Sequence, residues 1–158
     1  MFKNPYHIIA KMLVAYVGLI QIAHFYVLAR AAFIFQQTGE LTFPALPPPG
    51  GWAAQTVPLL MATGVVDAVN VGLILLFVLA YFVGHWWWRP LGILTLSIFF
   101  YSSIMYISGT VPSGAWQRHP LEYWSVAAVF VPVFLLMFLF FVWSTRRAFW
   151  VKDNNGRS

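Results

Sequence analysis

Hydrophobic and polar positions alternate along this chain in long blocks. Four apolar stretches run from about 9 to 35, 57 to 83, 88 to 107 and 123 to 143. A membrane-crossing helix needs about 20 predominantly apolar residues, so each block has the length of a span. The breaks carry strong helix-stop chemistry. Gln36, Gln37, Thr38, Gly39 and Glu40 close the first block, and Pro47, Pro48, Pro49, Gly50 and Gly51 forbid helix or strand after it. Gly84, His85, Arg89 and Pro90 mark the second break, and Gly109 to Pro120 the third. Pro58 fits a first helical turn, and Pro132 lies inside the fourth block, where it would kink a helix. The pattern predicts an all-α, integral membrane four-transmembrane-helix bundle in one domain of 158 residues, with a polar tail over 147–158 that frays beyond Arg146.

Composition strengthens that reading. The chain is 61% hydrophobic and 8% charged, against about 25% charged for an ordinary soluble domain. The formal net charge of +5 sits at helix ends and forms no surface stripe, so no nucleic-acid partner is expected. Lys3 and Lys11 precede the first span, and Arg146, Arg147, Lys152 and Arg157 follow the last. The first loop holds Glu40 and no Lys or Arg. The positive-inside rule therefore places both termini and the short second loop in the cytoplasm. That membrane would be the endoplasmic reticulum in a eukaryote and the inner membrane in a bacterium. Arg30, near the far end of the first span, can snorkel outward. Trp52, Trp86, Trp87, Trp88, Trp124 and Trp143 cluster at span ends, as an interfacial belt does. The first block is too long for a signal-peptide core, which predicts a retained N-terminus.

The candidate chemistry is the polar residues inside the spans, because such groups are costly there and need a reason. Thr63, Asp67 and Asn70 recur at i, i+4, i+7 and share one face of the second span. Asp67 is the acid inside the spans. Gln21 and His24 share a face of the first span, which also carries Tyr16, and the third offers Ser97, Tyr101, Ser102 and Ser103. His24 lies 11 residues before Phe35, and Asp67 lies 10 residues after Val57. At about 1.5 Å per residue, both are roughly 15 Å below the same surface. A histidine and a carboxylate at one depth form a proton-transfer pair. The same groups could equally act as interhelical glue. Without cysteine, thiolate chemistry is excluded. One deep histidine gives no pair of axial haem ligands and no clustered zinc set, so no cofactor and no metal are expected.

Several segments together resemble the EXPERA superfamily, whose members include the emopamil-binding protein, a sterol Δ8–Δ7 isomerase, and the sigma-2 receptor. They are Gln21-Ile22-Ala23-His24, the Pro-rich loop with Trp52, Asp67, Arg89-Pro90-Leu91, the stretch Tyr101 to Tyr106, His119-Pro120-Leu121-Glu122-Tyr123-Trp124, and Val131-Pro132. The chain departs from the isomerase pattern at Leu28, where the isomerase has a second acid, and at Val131, where it has asparagine. The resemblance implies a bundle around a cavity open to the bilayer, taking a sterol- or isoprenoid-like ligand. Asp67 and His24 would be its catalytic pair for moving a double bond by proton transfer. Thr63, Asn70, Gln21, Tyr101 and Trp124 would line the ligand. The expected partners are membrane lipids and a hydrophobic small molecule, with a homodimer or a larger membrane complex as further options. In the alternative reading the chain is a non-catalytic accessory subunit of a respiratory or photosynthetic complex. That reading predicts an interior plugged by the bundle's own side chains.

Overall fold

The computed structural model describes residues 5–42 and 46–154, with side chains described for 8–42 and 46–142. Among the described residues five helices follow one another: α1 Pro5–Thr38, α2 Thr56–Val83, α3 Trp88–Thr110, the short α4 Ala115–Arg118 and α5 Pro120–Asn154. Four of them are long and apolar enough to cross a membrane, over Ile8–Thr38, Thr56–Val83, Trp88–Thr110 and Pro120–Val142. The fold is an all-α candidate four-transmembrane-helix bundle. The long helices pack in a ring, α1 on α2, α2 on α3, α3 on α5 and α5 back on α1.

Helix ends follow local chemistry more closely than hydropathy. The expected end at Phe35 moves to Thr38, because glutamine and threonine tolerate helix and Gly39, at φ 70°, stops it. Gly84, at φ 75°, ends α2 in a Schellman arrangement. Its amide bonds the Tyr81 carbonyl at 3.3 Å, and the His85 amide bonds the Ala80 carbonyl at 2.9 Å. Gly109 is expected to open the third break, yet α3 continues through it to Thr110. A Cβ there would come within 3.1 Å of Leu59, so that glycine serves packing and not termination. The fourth span begins at Pro120 and not near Tyr123, since proline suits the first helical position. Pro132 lies inside the one continuous helix α5. The tail expected to fray past Arg146 instead stays helical to Asn154. Lys3 and Asn155 to Ser158 lie outside the described residues, as do the side chains of Trp143, Arg146, Arg147 and Lys152.

Burial is inverted relative to a water-soluble protein. Leu19 is 69% and Phe141 68% exposed, while Gln21, Thr63, Asn70, Thr95 and Ser102 are buried. Such a distribution is stable only where the surroundings are apolar. The half of the bundle nearest the termini is solid. Val14, Val17, Ile74, Phe77, Leu96, Val133, Leu136 and Phe140 fill it, with Phe77 and Phe140 edge to face at 5.5 Å.

Candidate functional site: a hollow half of the bundle

Toward the other end the same helices enclose a cavity of about 620 Å³. That volume is within the roughly 300–1,000 Å³ of small-molecule sites. Phe99 and Phe130, 5.2 Å apart, separate it from the solid half. Leu41, the short α4 and the start of α5 meet at this end, the roof of the cavity. The Trp52 indole donates to the Leu41 carbonyl at 2.8 Å. The Tyr123 hydroxyl donates to the Leu46 carbonyl at 2.8 Å. The Trp116 indole donates to the Thr110 hydroxyl oxygen at 2.8 Å and its ring stacks on Tyr123 at 5.2 Å. Leu41, Trp116 and Tyr123 line that end of the hollow, and the bonds from Trp52 to Leu41 and from Tyr123 to Leu46 tie the first loop to them.

One side of the cavity reaches the apolar surroundings. Phe25 on α1, 54% exposed, and Val129 on α5, 41% exposed, both line it. Between these helices the Tyr16 hydroxyl donates to the Val129 carbonyl at 2.7 Å. Val129 lies next to Ala128, whose carbonyl loses its regular helical donor because Pro132 has no N–H. Val65 on α2, 63% exposed, also lines the hollow, so the α1–α5 seam is one of the places where the hollow reaches the surface.

His24 and Asp67 both line the cavity, as does Thr63. The His24 ring is edge-on to Phe130 at 5.6 Å, and its Nδ1 lies 3.4 Å from the Gln21 side-chain oxygen. Gln21 itself is buried behind His24, off the cavity wall. Asn70 also sits off the wall, and its amide donates to the Thr95 carbonyl at 3.1 Å, tying α2 to α3. Asp67 has Ser102 of α3 as its hydroxyl neighbour. Tyr101 and Trp124 are exposed on the outside of the bundle, Trp124 against the edge of Trp116 at 5.2 Å.

The outward placement of those two aromatics has a simple geometric cause. On α3 the buried positions Thr95, Phe99 and Ser102 and the half-buried Tyr106 follow a four-three-four spacing, a single helical face. Tyr101 is one residue off it and so about 100° around the helix. Trp124 stands in the same relation to buried Tyr123. Of the other aromatic wall residues, Tyr123 and Phe130 share a four-three-four spacing with Ala127 and Phe134 on α5, whereas Trp116, in the short α4, carries no such signal. Among the described residues no group of three His, Cys, Asp or Glu is placed to hold a metal ion. No family model matches the chain, and no curated protein or solved structure is significantly similar to it.

Proposed function

We propose that this chain is a membrane-embedded binder of a hydrophobic polycyclic or isoprenoid-like molecule, and that it moves a double bond in that ligand by proton transfer. One observation carries the reading: an apolar cavity of about 620 Å³ that has both His24 and Asp67 on its wall. The resemblance to the EXPERA superfamily supports the same ligand class. The accessory-subunit alternative predicted a plugged interior, so a hollow of this size favours a ligand.

The proposed chemistry balances without a co-reactant. Asp67, as the carboxylic acid, adds its proton to one carbon of the double bond and leaves a carbocation beside it. Neutral His24 removes a proton from the neighbouring carbon, and the electron pair of that C–H bond becomes the shifted double bond. The proton then returns from the imidazolium to Asp67. Phe99, Phe130 and Phe134 present aromatic rings to the cavity, and such faces stabilise a cation best in a dry site.

The test uses purified full-length protein in detergent with a radiolabelled sterol and a polyprenol, followed by chromatography of the extracted lipids. Saturable binding to wild type is expected, with a shifted double bond in the product and no product from Asp67→Asn. An absence of saturable binding of either lipid class overturns the binder reading. Equal conversion by Asp67→Asn overturns the catalytic one.

A further inference from the structure

Helices α2 and α3 run antiparallel, and three contacts fix their register. The Asn70 amide donates to the Thr95 carbonyl at 3.1 Å. Ser102 hydrogen-bonds the Asp67 carboxyl. A Cβ on Gly109 would lie 3.1 Å from Leu59. Thr63 stands four residues before Asp67, and Tyr106 stands four residues after Ser102. Because the helices are antiparallel, both steps lead one turn toward the roof, a rise of about 6 Å. Thr63 and Tyr106 therefore sit at one level of the cavity wall, which both of them line. Their hydrogen-bonding capacities are complementary. The Thr63 hydroxyl gives its hydrogen to the Leu59 carbonyl at 2.9 Å, which leaves its oxygen an acceptor. The Tyr106 hydroxyl has no hydrogen-bond partner among the described residues, which leaves it a donor. The neighbouring Tyr123 hydroxyl is already engaged by the Leu46 carbonyl.

We infer that this level of the cavity receives a neutral alcohol, whose hydroxyl accepts from Tyr106 and donates to the Thr63 oxygen. The inference rests on the lipid-binder reading and names the polar end of that ligand. A ketone or an ether accepts but cannot donate, so it leaves Thr63 unanswered. A carboxylate or a phosphate would bring negative charge into an apolar hollow beside an acid, which is strongly unfavourable. The same pair orients the ligand. With its hydroxyl one turn from Asp67, the ligand presents to the acid the ring or isoprene unit next to that hydroxyl, and its far apolar end lies elsewhere in the hollow. Thr63 and Tyr106 thus act as specificity and positioning residues for the proposed proton transfer. Neither serves as its acid or base.

The experiment is equilibrium binding to the purified full-length protein in detergent. Radiolabelled cholesterol and farnesol are each competed by the unlabelled alcohol, by its methyl ether and by the hydrocarbon that lacks the oxygen. Wild type is expected to prefer alcohol over hydrocarbon about tenfold, the combined effect of two neutral hydrogen bonds. Thr63→Val removes the acceptor and brings the alcohol down to the level of its ether, and Thr63→Ser keeps the preference. Tyr106→Phe removes the donor and weakens alcohol and ether alike by about threefold, with the hydrocarbon unchanged. Neither Thr63→Val nor Tyr106→Phe adds volume, and circular dichroism checks their folding. If one fails to fold, the wild-type ranking of alcohol over ether over hydrocarbon decides. Equal wild-type affinity for alcohol and hydrocarbon overturns this inference and leaves the binder reading standing. A full alcohol preference in the folded Thr63→Val, Tyr106→Phe double variant overturns it too, since another group then holds the oxygen. Failure of all these lipids to bind overturns the binder reading and this inference with it.

Discussion

A methyl group added at chosen glycines distinguishes the solid half of the bundle from the hollow half. At Gly92, in α3, a Cβ would lie 2.7 Å from both Phe77 and Phe140 ring atoms. Real Cβ atoms do not approach that closely, and neither ring is free to retreat, because both belong to the buried cluster and pack on each other. Overpacking of this kind costs about 1–3 kcal/mol. Alanine returns about 1 kcal/mol of helix propensity, so a net loss of about 0–2 kcal/mol is expected for Gly92→Ala. At Gly64, on the cavity wall, the Cβ meets Leu28 alone, at 3.8 Å, an ordinary contact. Gly72 meets nothing within 4 Å. Gly64→Ala and Gly72→Ala should therefore equal or exceed wild type by up to about 1 kcal/mol. Unfolding in mixed detergent micelles as sodium dodecyl sulfate is raised, followed by circular dichroism, orders the variants. Gly92→Ala unfolding with Gly72→Ala would refute the tight α2–α3–α5 packing. A loss at Gly64 matching that at Gly92 would refute the hollow.

Asn70→Leu removes the bond to the Thr95 carbonyl and should cost about 0.6 kcal/mol, up to about 1.7, in the same unfolding assay; a stabilised variant would show that this bond does not hold α2 to α3. Tyr123→Phe breaks the link to Leu46 and should cost about 0.5–1.5 kcal/mol. It should also speed proteolysis between Glu40 and Gln55, and an unchanged cleavage rate would separate the roof from that hydroxyl. For orientation, cysteine introduced at Gln55 should react with impermeant maleimide from the non-cytoplasmic side and cysteine at His85 from the cytoplasmic side, a clean comparison in a chain without native cysteine. The reverse pattern would overturn the orientation.

The number of long helices and their order were legible in the amino-acid sequence, for a physical reason. Spanning an apolar layer needs an uninterrupted apolar run with its backbone satisfied internally, a local property that composition and Gly–Pro punctuation record directly. The face shared by Thr63, Asp67 and Asn70 is likewise local, set by the helical repeat. Tertiary structure alone decided which helix each face meets. Outside and inside of such a bundle are both apolar, so hydropathy does not separate lining residues from lipid-facing ones. Tyr101 and Trp124 carry the chemistry of ligand contacts and sit outside, whereas Ser102, one residue from Tyr101, sits beside Asp67. The hollow was equally beyond local reading. It arises because Phe77, Phe99 and Phe140 interlock at one end while Leu46 and Tyr123 hold the loops across the other. The volume left between them belongs to four helices at once and to no segment of the sequence.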